Sequence, residues 1–355
     1  MSLKILSIVV VLILSFALFK LISDSGVAAQ PSAKLEKPTK LMFIHHSVGG
    51  HWLAHDQGGL VNELNKRSIY VNDITYGWEP SFLTDGVFRK VKRKVLQLLR
   101  QDKSGPYDIG SRTDIGHWYE WFVGEHADEI MTAVYTENRE TDTFGDHSNA
   151  TSVAPLENPG VNVPNEIIMF KSCYPNSLLN GKPDDPPNES LKPPRNFVPG
   201  SEEHTIANAK RIYNDILKYF GAHPGKFFVV ITAPPRNDLP EEGRIARGFN
   251  NWLYSDWLKE NNYSLKNVFV FDFFNVLTSG VSWEKNDLNM KTGNHHRLWQ
   301  GSEQHTVNDK YHKLVYPRDG KQDNHPSAAG LQKAAKEFVP LLLQNYDHWK
   351  ASLDN

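Results

Sequence analysis

Five short stretches of this chain are largely apolar, and each stops on a cluster of polar residues. They read KLMFIHH (40–46), SIYVNDITYG (68–77), NEIIMFKSC (165–173), KFFVVITAPP (226–235) and NVFVFDFFNVL (267–277). A strand with one wet face alternates apolar and polar side chains, whereas a strand covered on both faces does not. The five runs are therefore expected to be buried parallel strands. Parallel strands need crossover connections, and helical patterns lie where the crossovers must run, at 59–67, 204–225, 245–262 and 327–346. This alternation specifies a doubly wound α/β sheet, in which ligands bind beyond the carboxyl ends of the strands.

Two stretches interrupt the alternation, one at about 79–164 and a Pro-rich one at 177–203. They are read as insertions into a single domain over 40–350, since no internal repeat and no second strand–helix series accompany them. The basic run FRKVKRKVLQLLR (88–100) spaces its charges between apolar residues as a solvated amphipathic helix does. With a formal net charge of -2, the chain carries no block basic enough for nucleic acid.

The N-terminus has an export layout. Lys4 precedes an apolar run from Ile5 to Phe19, and SGVAAQ follows, so that cleavage after Ala29 would leave Val27 and Ala29 at the positions a signal peptidase reads. Residues 1–29 are expected to be a signal peptide of a secreted or periplasmic protein, with 30–39 as linker. The alternative is an uncleaved anchor over 5–22, close to the roughly 17–25 residues that span a bilayer. The chain has one cysteine, Cys173, so no internal disulfide can form and no cysteine-based zinc site is available.

The residues after each strand carry the chemistry. Strand one ends on His45-His46-Ser47 and turns on Gly49-Gly50, a turn expected to give close approach to substrate. Strand two ends on Tyr76-Gly77-Trp78, and strand three runs into KSCYPNS with Asn176. Asp323 and His325 lie in KQDNHPSAAG before the last helix. A serine hydroxyl is a weak nucleophile and needs a base; the base needs an acceptor to fix its tautomer; the tetrahedral oxyanion needs donors. All three are present on one sheet edge.

On these residues the chain resembles the SGNH (GDSL-like) hydrolase superfamily. The four residues of that name match Ser47 in HHSVGG, Gly77 in DITYGWEPS, Asn176 in SCYPNS and His325 in DNHPSAAG. The resemblance implies a three-layer α/β/α sandwich with a five-stranded parallel sheet in the flavodoxin-like order 2-1-3-4-5. It further implies Ser47 as nucleophile, His325 as base, and Ser47, Gly77 and Asn176 as the oxyanion hole. Two departures stand out. His45-His46 replaces the usual Gly-Asp, and the usual acid three residues before the histidine is Gln322 here. Asp323, two before, is taken as the acidic partner, with Asp319 behind it.

Several neighbours are expected to line the pocket: His45, His46, His51, Trp52, Trp78 and His117. Tryptophans beside the site would suit stacking on a sugar, although Trp also fills cores. The two adjacent histidines are open to three readings. One ring packs under the sheet while the other satisfies a backbone group; or one bonds substrate beside Ser47; or His45, His46, His51 and Asp323 bind a metal. Their spacing matches no metal motif, so no metal or other cofactor is expected. In DIGSRTDIGHWYEWF (108–122), Trp118, Trp121 and Phe122 share a helical face, and the start of the stretch is placed to line the pocket. GNHHRLWQGSEQHT (293–306) is read as a loop. The expected function is that of an exported esterase acting on small-molecule or polysaccharide esters. The rivals are an O-acyltransferase using the same site, and a metal-dependent or non-catalytic carbohydrate-binding protein on this fold.

Overall fold

The structure is a computed structural model that describes residues 35, 37–80, 108–138, 159–160, 162–191, 197–238, 240–279, 287–308, 310–318 and 323–353. The leader, the basic run at 88–100, Asp319 and Gln322 lie outside the described residues. Among those described, no helix is long and apolar enough to cross a membrane.

The five apolar runs form β1 (Thr39–Ile44), β2 (Ile69–Ile74), β3 (Ile167–Lys171), β4 (Phe227–Ile231) and β5 (Val268–Phe271). They build one parallel sheet in the order β2-β1-β3-β4-β5. Both faces are covered. Leu41 and Phe43 of β1 enter one core, and Met42 and Ile44 enter the other. The first core is closed by α1 (Ser47–Leu53), α2 (Leu60–Asn65), α8 (Phe273–Leu277) and α9 (Ala328–Leu353). The second is closed by α3 (Trp118–Phe122), α4 (Ala127–Thr136), α5 (Ile206–Ala222), α6 (Pro240–Ser255) and α7 (Trp257–Glu260). This is the expected three-layer sandwich with insertions.

Two elements differ from expectation. The run NVFVFDFFNVL is not one strand: β5 stops at Phe271, and Asp272 caps α8 by accepting a hydrogen bond from the Asn275 N–H. All five side chains of α8 are buried and four of them are apolar, a composition that a short buried strand shares. The stretch read as a loop at 293–306 is an antiparallel hairpin of β6 (His295–Trp299) and β7 (Ser302–Thr306). Its two linking residues, Gln300 and Gly301, have φ of 53° and 82°, the left-handed pair that hairpin turns favour.

Register places the strand ends together. Ile44 lies beside Ile74 and Phe170, Lys171 beside Ile231, and Ile231 beside Phe271. His45–Ser47, Thr75–Gly77 and Ser172–Cys173 therefore leave one edge, around the point where the strand order reverses. That point is the place where sheets of this kind hold ligands.

Candidate active site

Ser47 opens α1, with His46 in extended conformation just before it. This turn lifts the Ser47 hydroxyl above the sheet edge, where it meets His325. Ser47 Oγ lies 2.9 Å from His325 Nε2, and His325 Nδ1 lies 2.7 Å from Asp323 Oδ1. The same carboxylate oxygen accepts the His325 backbone N–H at 2.9 Å, so a spacing of two residues suffices because the turn folds back on itself. Burial works against the Asp323 charge, but the bonds from His325 outweigh it and hold the carboxyl below its ordinary value.

The loop carrying His325 is itself anchored. The Arg318 N–H donates to His325 O at 2.9 Å, and the Ser327 N–H donates to Tyr316 O at 2.6 Å. The Asn237 N–H donates to Asn324 Oδ1 at 2.7 Å, tying the turn to the segment after β4. Tyr174 meets the His325 ring edge-on at 5.3 Å, and the His51 ring lies 5.4 Å away on another side. Cys173 Sγ is 3.9 Å from Ser47 Oγ, close enough to pack against it.

The two histidines of the HHS stretch have separate tasks, and neither makes a metal site with the other. His45 is buried, its Nε2 3.0 Å from Asp73 Oδ2 and its Nδ1 2.9 Å from His46 O. It packs beneath α1 so closely that a Cβ on Gly49 would fall 2.3 Å from His45 Cβ. Gly49 is thus required by the packing of His45. His46 is bonded through Nε2 to Gly110 O at 3.2 Å and stacks on Tyr76, with centroids 4.1 Å apart. Burial lowers its pKa to about 4, which keeps the ring neutral near neutral pH.

Losing one member of a buried pair such as His45–Asp73 costs roughly 3–5 kcal/mol, a large part of a typical fold's roughly 5–15. Chemical denaturation of His45→Leu is expected to show that loss. The double variant His45→Leu/Asp73→Leu is expected to recover much of it. Equal losses in the single and double variants would exclude the pair as the cause.

Other expected site residues are placed elsewhere. Trp52 is wholly buried among Phe43, Phe271, Phe273 and Phe338, a core role worth about 3–5 kcal/mol on truncation. Trp78 is also buried, stacked on Trp121 and donating from Nε1 to Glu137 Oε2 at 2.6 Å. Neither can stack on a sugar. His117 accepts the Asp114 N–H at 3.3 Å, so its ring is used within its own turn. His51 stays beside the site, with the exposed Arg318 guanidinium 3.2 Å from its Nε2.

The two residues expected to join Ser47 in an oxyanion hole have their donors committed. The Gly77 N–H donates to Asp108 Oδ1 at 2.9 Å, in a turn whose φ of 77° suits glycine. Asn176 Nδ2 donates to Asp114 Oδ1 at 2.7 Å and to Cys173 O at 3.3 Å, while its Oδ1 accepts the Ile115 N–H at 2.9 Å. Asn176 therefore clamps the 108–122 insertion onto the sheet edge. The residues missed from sequence are Tyr76 and Tyr174, each beside a named strand-end residue and each in contact with the site.

Asp287, His295 and Glu337 form the one group of three metal-ligand types within 4.8 Å of one another among the described residues, and all three are buried. The Lys333 ammonium lies 2.9 Å from Asp287 Oδ1 and donates to Val276 O and Asn294 O at 3.0 and 2.8 Å. A side chain of this protein thus supplies the positive charge there, and the cluster fastens β6 to α9.

Neither a family model nor a curated protein matches the chain. Two solved structures of TubZ from Clostridium botulinum phage c-st, one truncated at its C-terminal tail, are similar at 11% and 12% identity with a TM-score of 0.25. The similarity covers 65% and 66% of this chain and 52% of each of those chains, so the chain spans about half their length. A likeness of that degree carries no argument about function.

Proposed function

We propose that the chain is an exported serine esterase of SGNH type, cleaving an acyl ester through an acyl-enzyme intermediate. The observation that carries the reading is the line Ser47 Oγ–His325 Nε2–Asp323, at 2.9 and 2.7 Å. Ser47 attacks the acyl carbon as His325 takes its proton, and His325 returns that proton to the departing alcohol. Asp323 fixes the tautomer that leaves Nε2 free to accept, and stabilises the imidazolium. Water then enters by the same route and releases the acid. The export reading comes from the leader sequence. A preference for sugar esters loses the support of Trp52 and Trp78, and the side chains left to meet substrate are Tyr76, Tyr174, His51 and Arg318.

The test is release of p-nitrophenol from p-nitrophenyl acetate by the full chain. Turnover is expected with and without a chelator. Turnover that needs added metal would contradict the reading.

A further inference from the structure

Two arginines lie close to the loop that carries His325. Arg236, 6.0 Å from the centre of the Tyr174 ring, is engaged: its Nε and Nη2 donate to the two carboxylate oxygens of Asp238, at 2.9 and 2.6 Å. Arg318 is held differently. Its backbone N–H donates to His325 O at 2.9 Å, next to the short antiparallel bridge between Pro317 and Pro326, so the residue is fixed to the loop of the base. Its guanidinium turns to His51, with Nη1 3.2 Å from Nε2 and 3.4 Å from Nδ1. His51 stands four residues after Ser47 on α1, so the two side chains share a helix face. The His51 ring in turn lies 5.4 Å from the His325 ring. The Arg318 cation is therefore one imidazole away from the base, on the His325 side of Ser47.

An imidazole that accepts from a guanidinium offers a lone pair and no charge, and Arg318 forms no ion pair among the described residues. Asp323 feels its charge, but that carboxyl is held by the His325 ring and backbone N–H at 2.7 and 2.9 Å. The contact with His51 uses Nη1 and leaves the Nε–Nη2 edge, the same edge with which Arg236 grips Asp238. Such an edge takes a carboxylate by two parallel N–H···O bonds. Arg318 is exposed, so a ligand can reach it.

We propose that Arg318 is a specificity-determining residue that binds a carboxylate on the alcohol half of the ester, so that the substrates are acyl esters of a hydroxylated acid. This rests on Ser47 and His325 being nucleophile and base. The alcohol half follows from the direction of departure. His325 gives the leaving alcohol its proton, so the alcohol lies on the His325 side, and Arg318 is bonded to the His325 loop on that side. His51 accepts from Nη1 and fixes the guanidinium in place.

The test measures kcat/KM of the full chain on 3-acetoxybenzoate and on methyl 3-acetoxybenzoate, in which a methyl ester replaces the charge. The ratio of anion to neutral ester is expected to be about tenfold at low salt, the scale of one charge-assisted hydrogen bond. It should shrink as salt is added, because the guanidinium is exposed. Arg318→Gln is expected to bring the ratio to about one, and Arg318→Glu to bring it below one. The ratio cancels whatever these substitutions do to the machinery common to both esters. A purely structural role for Arg318 would lower both rates together and leave the ratio as it was. A native ratio within about twofold of one, or a ratio that Arg318→Gln leaves intact, overturns the proposal. Ser47→Ala separates this result from the serine reading. If the native chain cleaves both esters alike and Ser47→Ala cleaves neither, the anion preference falls and the serine stands. If Ser47→Ala cleaves them as the native chain does, both fall.

Discussion

Ser47→Ala is expected to lower kcat for ester hydrolysis by a factor on the order of 10⁶, the scale seen when a triad serine is removed from a serine protease. The reason lies in the division of labour at the site. His325 Nε2 faces the Ser47 hydroxyl, 2.9 Å away, and its other nitrogen is held by Asp323. Without the hydroxyl, the base can act on water alone, and the covalent step disappears. The fold should not register the change. Ser47 is the first residue of α1, no side-chain cap supports that helix, and alanine suits a first helical turn. Circular dichroism and the unfolding midpoint are expected to match the native chain. A variant with intact structure and more than about a tenth of native turnover would remove Ser47 from the mechanism.

Asp323→Ala is expected to lower kcat by roughly 10⁴, which is about 5 kcal/mol of transition-state stabilisation. Two separate supports vanish together. The Nδ1 partner is lost, so the neutral ring can place its proton on Nε2 and face Ser47 with a donor. The acceptor for the His325 backbone N–H is lost as well, so the turn that aims the ring loosens. Asp323→Asn keeps an oxygen for these contacts but no charge, and should fall between the native chain and alanine. The carboxyl is held below its ordinary value, so its charge persists to lower pH than that of a free aspartate. A loss of less than tenfold in Asp323→Ala would contradict this assignment and direct attention to Asp319.

The sheet was legible because covering both faces of a strand leaves a plain mark, an unbroken apolar run. The same mark misled at Phe273–Leu277, where total burial erases the difference between a short helix and a strand. Ser47, His325 and Asp323 were legible because each follows or precedes a recognisable element and because serine chemistry needs those groups in combination. The hydrogen-bond partners of Gly77 and Asn176 were not legible. They depend on Asp108 and Asp114, which reach the sheet edge from an insertion whose path no local pattern encodes. Trp52 and Trp78 follow two strands at the expected edge, yet chain position says nothing about which way a ring turns, and both turn inward. His45 shows the opposite case. A polar residue ending an apolar strand suggests a site, but the buried Asp73 on the neighbouring strand makes it part of the core.

The HHS stretch accordingly combines three roles in three residues. His45 supports the helix from below, His46 carries the aromatic surface above it, and Ser47 stands between them facing His325. In the proposed reaction Ser47 bears the nucleophilic oxygen. That role is tested most directly by exposing the full chain to a fluorophosphonate, which phosphonylates activated serines, and mapping the modified peptide by mass spectrometry. One adduct is expected, on Ser47, absent from Ser47→Ala and formed far more slowly in His325→Ala. A chain that stays unlabelled, or one that carries the adduct on another residue with Ser47 unmodified, would contradict it.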